Sequence, residues 1–175
     1  MNYFELYDLQ INFNPDQKLV KQKFYALCKQ YHPDFYINES QEKQTEVLEL
    51  STLNNKAFQV LKDPQKRLHY ILELKGVLVE GENYALPQSF LIEMMDVNEA
   101  LMELEFDLDI LKLTALKGQT LAIEASLDSE LKALTLSFDN CNASEQENAL
   151  NSIKGIYYRN KYLWRINQSI FKLKH

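Results

Sequence analysis

The sequence predicts an all-α protein: an antiparallel helical hairpin with short helices beside it, followed by a three-helix bundle. Three observations predict this class. Gly and Pro are scarce, four of each in 175 residues, too few to punctuate strands at regular spacing. Apolar residues recur at helical intervals over several segments. Recognisable start and stop signals divide those segments from one another. A chain of this length buries one good core or two small ones.

The elements follow in order. Tyr3 to Leu9 forms a short first helix with Phe4, Leu6, Tyr7 and Leu9 as its apolar surface. Asn14-Pro15-Asp16-Gln17 then offers Asn at the N-cap, Pro at N1 and Gln at N3 of a second helix reaching about Tyr31. Its apolar stripe is Val20, Phe24, Leu27 and Tyr31, and Lys18, Lys21, Lys23 and Lys29 fall largely off it. Pro33 stops this helix, because the residue before a proline is driven out of the α region. After the polar connector Asn38–Gln41, a third helix spans about Glu42 to Lys62, with Val47, Leu50, Ala57, Phe58 and Leu61 inside and Asn54 as a polar exception. Asp63-Pro64 breaks it, and a fourth helix runs from about Gln65 to Leu74.

Residues 76–87 hold two of the four glycines and separate the two halves as a linker between residues 1–75 and 88–175. Pro87 suits N1 of a helix from Gln88 to about Glu105, whose core stripe is Phe90, Met94, Val97, Leu101 and Leu104. A long helix covers about Asp109 to Phe138, with Gly118 as its weak point. Asp139 to Ala143 turns the chain, and Ser144-Glu145-Gln146-Glu147 reads as a capping box opening a last helix to about Leu173. Three long helices with short connections make an antiparallel bundle.

Charge is divided unevenly. Residues 1–75 carry ten bases and ten acids, so the net −6 resides in residues 76–175. Within that half, residues 80–109 contain nine acids and no base, and residues 154–175 six bases and no acid. The plainest expectation is that these two blocks face each other within the bundle. The acidic balance argues against nucleic acid as the main partner. Cys28 and Cys141 form no metal spacing and no disulfide framework, so neither a metal nor another cofactor is expected. No apolar run approaches the length of a membrane span. The N-terminal residues Met1-Asn2-Tyr3-Phe4-Glu5 show no basic or Arg-rich presequence, and the expected setting is the cytoplasm.

Two motifs then stand out. The first joins Tyr3-Phe4-x-Leu6-Tyr7-x-Leu9, the lysine-rich helix, Tyr31-His32-Pro33-Asp34, and Leu53-Asn54-x-Lys56-Ala57-Phe58-x-Val60-Leu61-x-Asp63-Pro64-x-x-Arg67-x-x-Tyr70. In order and spacing it resembles a J-domain. The second comprises Arg67-Leu68-x-Tyr70-Ile71-Leu72-x-Leu74-x-Gly76 and Phe90-Leu91-x-Glu93-x-Met95-Asp96-x-x-Glu99-x-Leu101. It is similar to the HscB-type co-chaperones of iron–sulfur cluster assembly. No Gly/Phe-rich stretch and no CxxCxGxG repeat follows the J-like part, as in general J-domain chaperones, and the N-terminal zinc-binding cysteines of some eukaryotic members are absent, which fits a bacterial form.

The resemblance implies a J-domain over residues 1–75 and a scaffold-binding bundle over residues 88–175. It implies docking on a DnaK-like chaperone, HscA, with stimulation of its ATP hydrolysis, and delivery to it of the cluster scaffold protein IscU. The chaperone-facing residues would be Lys18, Lys21, Lys23, Lys29, His32, Pro33 and Asp34. Their chemistry is compatible: lysines steer the helix onto an acidic face, Pro33 fixes the backbone, and Asp34 can pair with a partner arginine. The scaffold-facing residues would be Leu91, Ile92 and Met95 as apolar anchors, Asp96 and Glu99 as rim charges, and Tyr158 on the last helix, with Tyr157 leaving the register open by one. A bundle helix needs one apolar stripe, so a second stripe rimmed by carboxylates is spare for a partner.

One rival reading is enzymatic. Cys28 and His32 are one turn apart with Asp34 nearby, a nominal Cys-His-Asp set. Against it, Cys28 adjoins Phe24, Leu27 and Tyr31 on the apolar side, where cysteine is usually inert packing. A third reading keeps the J-like half and gives the bundle a different client protein.

Overall fold

The computed structural model describes residues 1–79, 81–138 and 141–173. Among them the chain is helical throughout, with no strand: α1 (Tyr3–Leu6), α2 (Gln17–Gln30), a 3-10 turn (Pro33–Tyr36), α3 (Gln41–Lys62), α4 (Pro64–Leu74), α5 (Gln88–Phe106), α6 (Ile110–Ser137) and α7 (Ala143–Lys172). The chain divides into two compact units, Met1–Gly76 and Val77 onward.

In the first unit α2 and α3 form an antiparallel hairpin. Gln17 reaches the Leu61 carbonyl at one end, and Asn54 donates to the Phe24 carbonyl at 3.1 Å further along, so the two strands of contact run in opposite directions. Phe24 and Phe58 stack between the helices with centroids 4.1 Å apart. Asn54, the polar exception on the inner face, is buried and fully used: it also takes the Tyr7 hydroxyl on its carboxamide oxygen at 2.9 Å and donates to the Cys28 sulfur at 3.3 Å. A buried amide is tolerated because its donors and acceptor are satisfied. Arg67 is buried as well. Its guanidinium donates to the carbonyls of Phe13 and Leu61, tying α4 to the loop before α2 and to the end of α3.

The ends of these helices differ from expectation in detail. The first helix stops at Leu6, not Leu9, because Asp8 takes a left-handed backbone (φ 52°) that no helix continues. The second starts at Gln17 with Asp16 as its cap, accepting the Lys18 N–H at 2.8 Å. Asn14 and Pro15 lie outside the helix, since Asp16 is as good a cap as Asn14 and stands closer to the first apolar residue of the stripe.

In the second unit α5, α6 and α7 enclose one core. Phe90, Met94, Val97, Leu101 and Leu104 of α5 meet Leu113, Leu116, Ile123 and Leu127 of α6 and Ile156, Leu163, Ile166 and Ile170 of α7. Pro87 sits at the N-cap of α5 rather than N1, without a side-chain cap bond. Asn142, not Ser144, caps α7: it accepts the Glu145 N–H at 3.0 Å and its own N–H donates to the Glu145 carboxylate at 2.9 Å. The expected turn at Asp139–Ala143 begins with two residues outside the described set.

Residues 82–84 of the segment expected as a linker lie against α7. Lys154 donates to the Glu82 carboxylate at 2.6 Å, and the rings of Tyr84 and Tyr158 stack at 4.5 Å. The acidic and basic blocks meet only here among the described ion pairs; Arg159 turns instead to Glu130 on α6, and Lys112 to Glu103. Helix placement in the bundle follows the apolar stripes, and most of the acids of α5 are left on the outside.

Candidate functional sites on the two helical units

The turn after α2 carries His32, Pro33 and Asp34, all exposed. Pro33 opens the 3-10 turn at N1, and His32 is its N-cap. The ring Nδ1 accepts the Asp34 N–H at 3.3 Å and lies 3.7 Å from the Asp34 carboxylate. The triplet therefore forms a closed local knot whose His32 and Asp34 side chains remain exposed, 52% and 75%. Beside it, Pro33, Asp34, Tyr36, Ile37, Val47 and Leu48 line a shallow groove. Phe35 and Ile37 are two-thirds exposed, and the Phe35 ring lies 5.5 Å from that of His32.

On α2, the structure groups three of the four lysines. Lys18, Lys21 and Lys29 are exposed, and at about 100° per residue they share one face. Tyr25 stands in that face, more than half exposed, with the Lys21 ammonium 6.0 Å from its ring centre. Lys23 points about 140° away from Lys18 and pairs with Asp8 at 3.6 Å. Tyr25 and Phe35 were not singled out from sequence. The signal was present for Tyr25, which lies four residues from both Lys21 and Lys29.

On α5 the two stripes separate cleanly. The core stripe is buried throughout, while Leu91, Ile92 and Met95 are 40%, 57% and 68% exposed. Asp96 and Glu99 are exposed and have no ion-pair partner among the described residues. Apolar exposure continues down the same face to Met102 and Phe106, which follow Leu91 and Met95 respectively, each at i+11. Asn98 marks the edge of this face: it donates to the Tyr162 hydroxyl at 3.0 Å, so the stripe borders α7. Tyr158 lies one turn before Tyr162 on α7 and is half-buried, stacked on Tyr84 with its hydroxyl donating to Glu82 at 3.4 Å. Burial and the neighbouring Glu82 carboxylate raise the Tyr158 pKa, and the Lys154 bridge holds Glu82 below the usual carboxylate range.

Gly155 is explained by this contact. The helix runs through it without a break, and a Cβ there would meet the Tyr84 hydroxyl at 3.0 Å. The close approach of the Tyr84 ring is what a side chain at this position would disturb.

Cys28 accepts from Asn54 inside the hairpin, and burial raises its thiol pKa, the direction opposite to activation. Among the described residues no cluster of His, Cys, Asp or Glu suits a metal ion, and no helix is long and apolar enough to cross a membrane.

A hairpin whose exposed His-Pro-Asp turn follows a lysine-faced helix defines a J-domain protein, and residues 3–70 match the DnaJ domain family model. Residues 86–170 match the model described as the HSCB C-terminal oligomerisation domain. The chain is 30% identical over 174 residues to the iron-sulfur cluster co-chaperone protein HscB of Homo sapiens, covering 99% of this chain and 68% of that one. It is 42% identical over 106 residues to the co-chaperone protein HscB of Buchnera aphidicola, a match that spans 61% of that relative's length. The solved structure of chaperone HscB from Vibrio cholerae superposes with a TM-score of 0.68 at 28% identity, over 99% of both chains. The chain belongs to the HscB co-chaperone family.

Proposed function

We propose that this protein is an adaptor co-chaperone of iron–sulfur cluster assembly. In this reading the first unit docks its His32-Pro33-Asp34 turn and the Lys18, Lys21 and Lys29 face on a DnaK-like chaperone, HscA, and stimulates ATP hydrolysis there. The second unit binds the cluster scaffold protein, IscU, through Leu91, Ile92 and Met95, with Asp96, Glu99 and Tyr158 at the rim, and brings it to the chaperone. The adaptor itself breaks no bond. Its setting is the bacterial cytoplasm, in keeping with the bacterial relatives and with two cysteines that form no disulfide.

The observation that carries the scaffold half is the exposed second stripe of α5. Three large apolar side chains are exposed beside carboxylates that have no ion-pair partner among the described residues. A folded bundle gains nothing from that arrangement, whereas an apolar centre with a charged rim is the anatomy of a protein-binding patch. The test is a steady-state ATPase assay of the chaperone with this protein, with the scaffold, and with both. Stimulation by each and synergy by both is the expected result. Stimulation by this protein without synergy would favour a J-domain adaptor with a different client, and a pull-down against the scaffold would separate the two.

A further inference from the structure

We infer that Tyr84 is a positioning residue of the scaffold-docking surface, acting by holding the Tyr158 ring at the edge of the α5 stripe. The inference rests on the proposal that Tyr158 contacts the scaffold. Its observations are independent of that proposal. The two rings stack with centroids 4.5 Å apart and planes 8° from parallel. Glu82, two residues before Tyr84, takes the Lys154 ammonium at 2.6 Å and the Tyr158 hydroxyl at 3.4 Å. Lys154 also stands 5.8 Å from the Tyr84 ring centre. Gly155 leaves the room that the Tyr84 hydroxyl occupies.

Every one of these contacts converges on a single turn of α7, and each constrains the Tyr158 side chain or the ring beside it. Closing the chain into α5 asks for no such convergence, because Leu86 already packs against the bundle core. A tyrosine on an open helix face samples its staggered rotamers. One clamped between a stacked ring and a carboxylate is confined before the partner arrives, so less side-chain freedom is lost on binding. The clamped ring sits one turn from Tyr162, which hydrogen-bonds Asn98 on the border of the Leu91–Met95 stripe. Tyr84 thus joins an aromatic on α7 to the apolar row on α5.

The test is a calorimetric titration of the scaffold protein into the full-length chain, comparing wild type with Tyr84→Ala, Tyr84→Phe, Tyr158→Ala and the double variant Tyr84→Ala/Tyr158→Ala. Tyr84→Ala is expected to weaken binding about three- to tenfold, and Tyr84→Phe, which keeps the stacked ring, to bind like wild type. The double variant is expected to bind no more weakly than Tyr158→Ala alone. Gly155→Ala provides a second route that trims nothing: it should weaken binding when Tyr84 is present and have no effect beside Tyr84→Ala. A lowered melting temperature with unchanged affinity in Tyr84→Ala would overturn the inference, as would a Tyr84 effect that persists undiminished without Tyr158. Unchanged affinity in both Tyr158→Ala and the pair Leu91→Ala/Met95→Ala would remove the docking proposal itself, and the role of Tyr84 with it.

Discussion

His32 spends one ring nitrogen on the local fold and leaves the other without a hydrogen bond among the described residues. Its Nδ1 accepts the Asp34 N–H, so the neutral ring that makes this bond carries its proton on Nε2. The residue is exposed and packs against no core, so His32→Gln should leave far-UV circular dichroism and melting behaviour unchanged within about 0.5 kcal/mol. It should nevertheless abolish stimulation of the chaperone ATPase; full stimulation by the variant would remove the turn from the docking site. The buried counterpart is Tyr7, whose hydroxyl donates to Asn54 in a site where burial also pushes the phenol pKa up. Tyr7→Phe strips the Asn54 oxygen of its donor in the interior. The expected cost is about 1–3 kcal/mol, read as a lower urea midpoint with an unchanged slope. A loss below that range would show that solvent reaches the amide.

At the scale of one helix, α5 makes two different demands of adjacent residues. Met94 is buried in the core and Met95 is 68% exposed. Met94→Ala should therefore cost about 2–5 kcal/mol through lost burial and a cavity. Leu91→Ala combined with Met95→Ala should change stability little and weaken scaffold binding, and a large drop in melting temperature would return that stripe to the core. The separation of the two stripes and the His-Pro-Asp turn were legible in the sequence because each depends on residues within a few turns of one another, and the hairpin and bundle because short connections join helices that each carry an apolar stripe. Helix starts slipped by two residues where two good caps stand close together, Asp16 after Asn14 and Asn142 before Ser144. The contact of Glu82 and Tyr84 with α7 was not legible. Glu82 finds its partners 72 and 76 residues away, and no local pattern reports a pairing of that span. The same distance explains the charge blocks: composition showed opposite signs, but apolar stripes decide which faces meet, and they left Asp96 and Glu99 outward.

Over the whole molecule, the lysine face lies on the first unit and the exposed α5 stripe on the second, and salt should separate their contributions. The first 75 residues are neutral in sum, yet α2 presents Lys18, Lys21 and Lys29 on one face. A face of that kind accelerates encounter with an acidic surface while contributing little to the final contact. Exposed charges are screened over about 10 Å at 0.1 M salt and about 3 Å at 1 M. Association of the full-length chain with the chaperone, followed by stopped flow, should accordingly slow as salt rises, with dissociation much less affected. Replacing Lys18, Lys21 and Lys29 together by Ala should flatten that dependence. Lys23→Ala should leave it nearly intact, because Lys23 faces away and is paired with Asp8. Scaffold binding, centred on Leu91, Ile92 and Met95, should respond to salt only through its acidic rim, Asp96 and Glu99. An association rate indifferent to salt, or a Lys23 variant as impaired as the triple one, would count against steering by the α2 face.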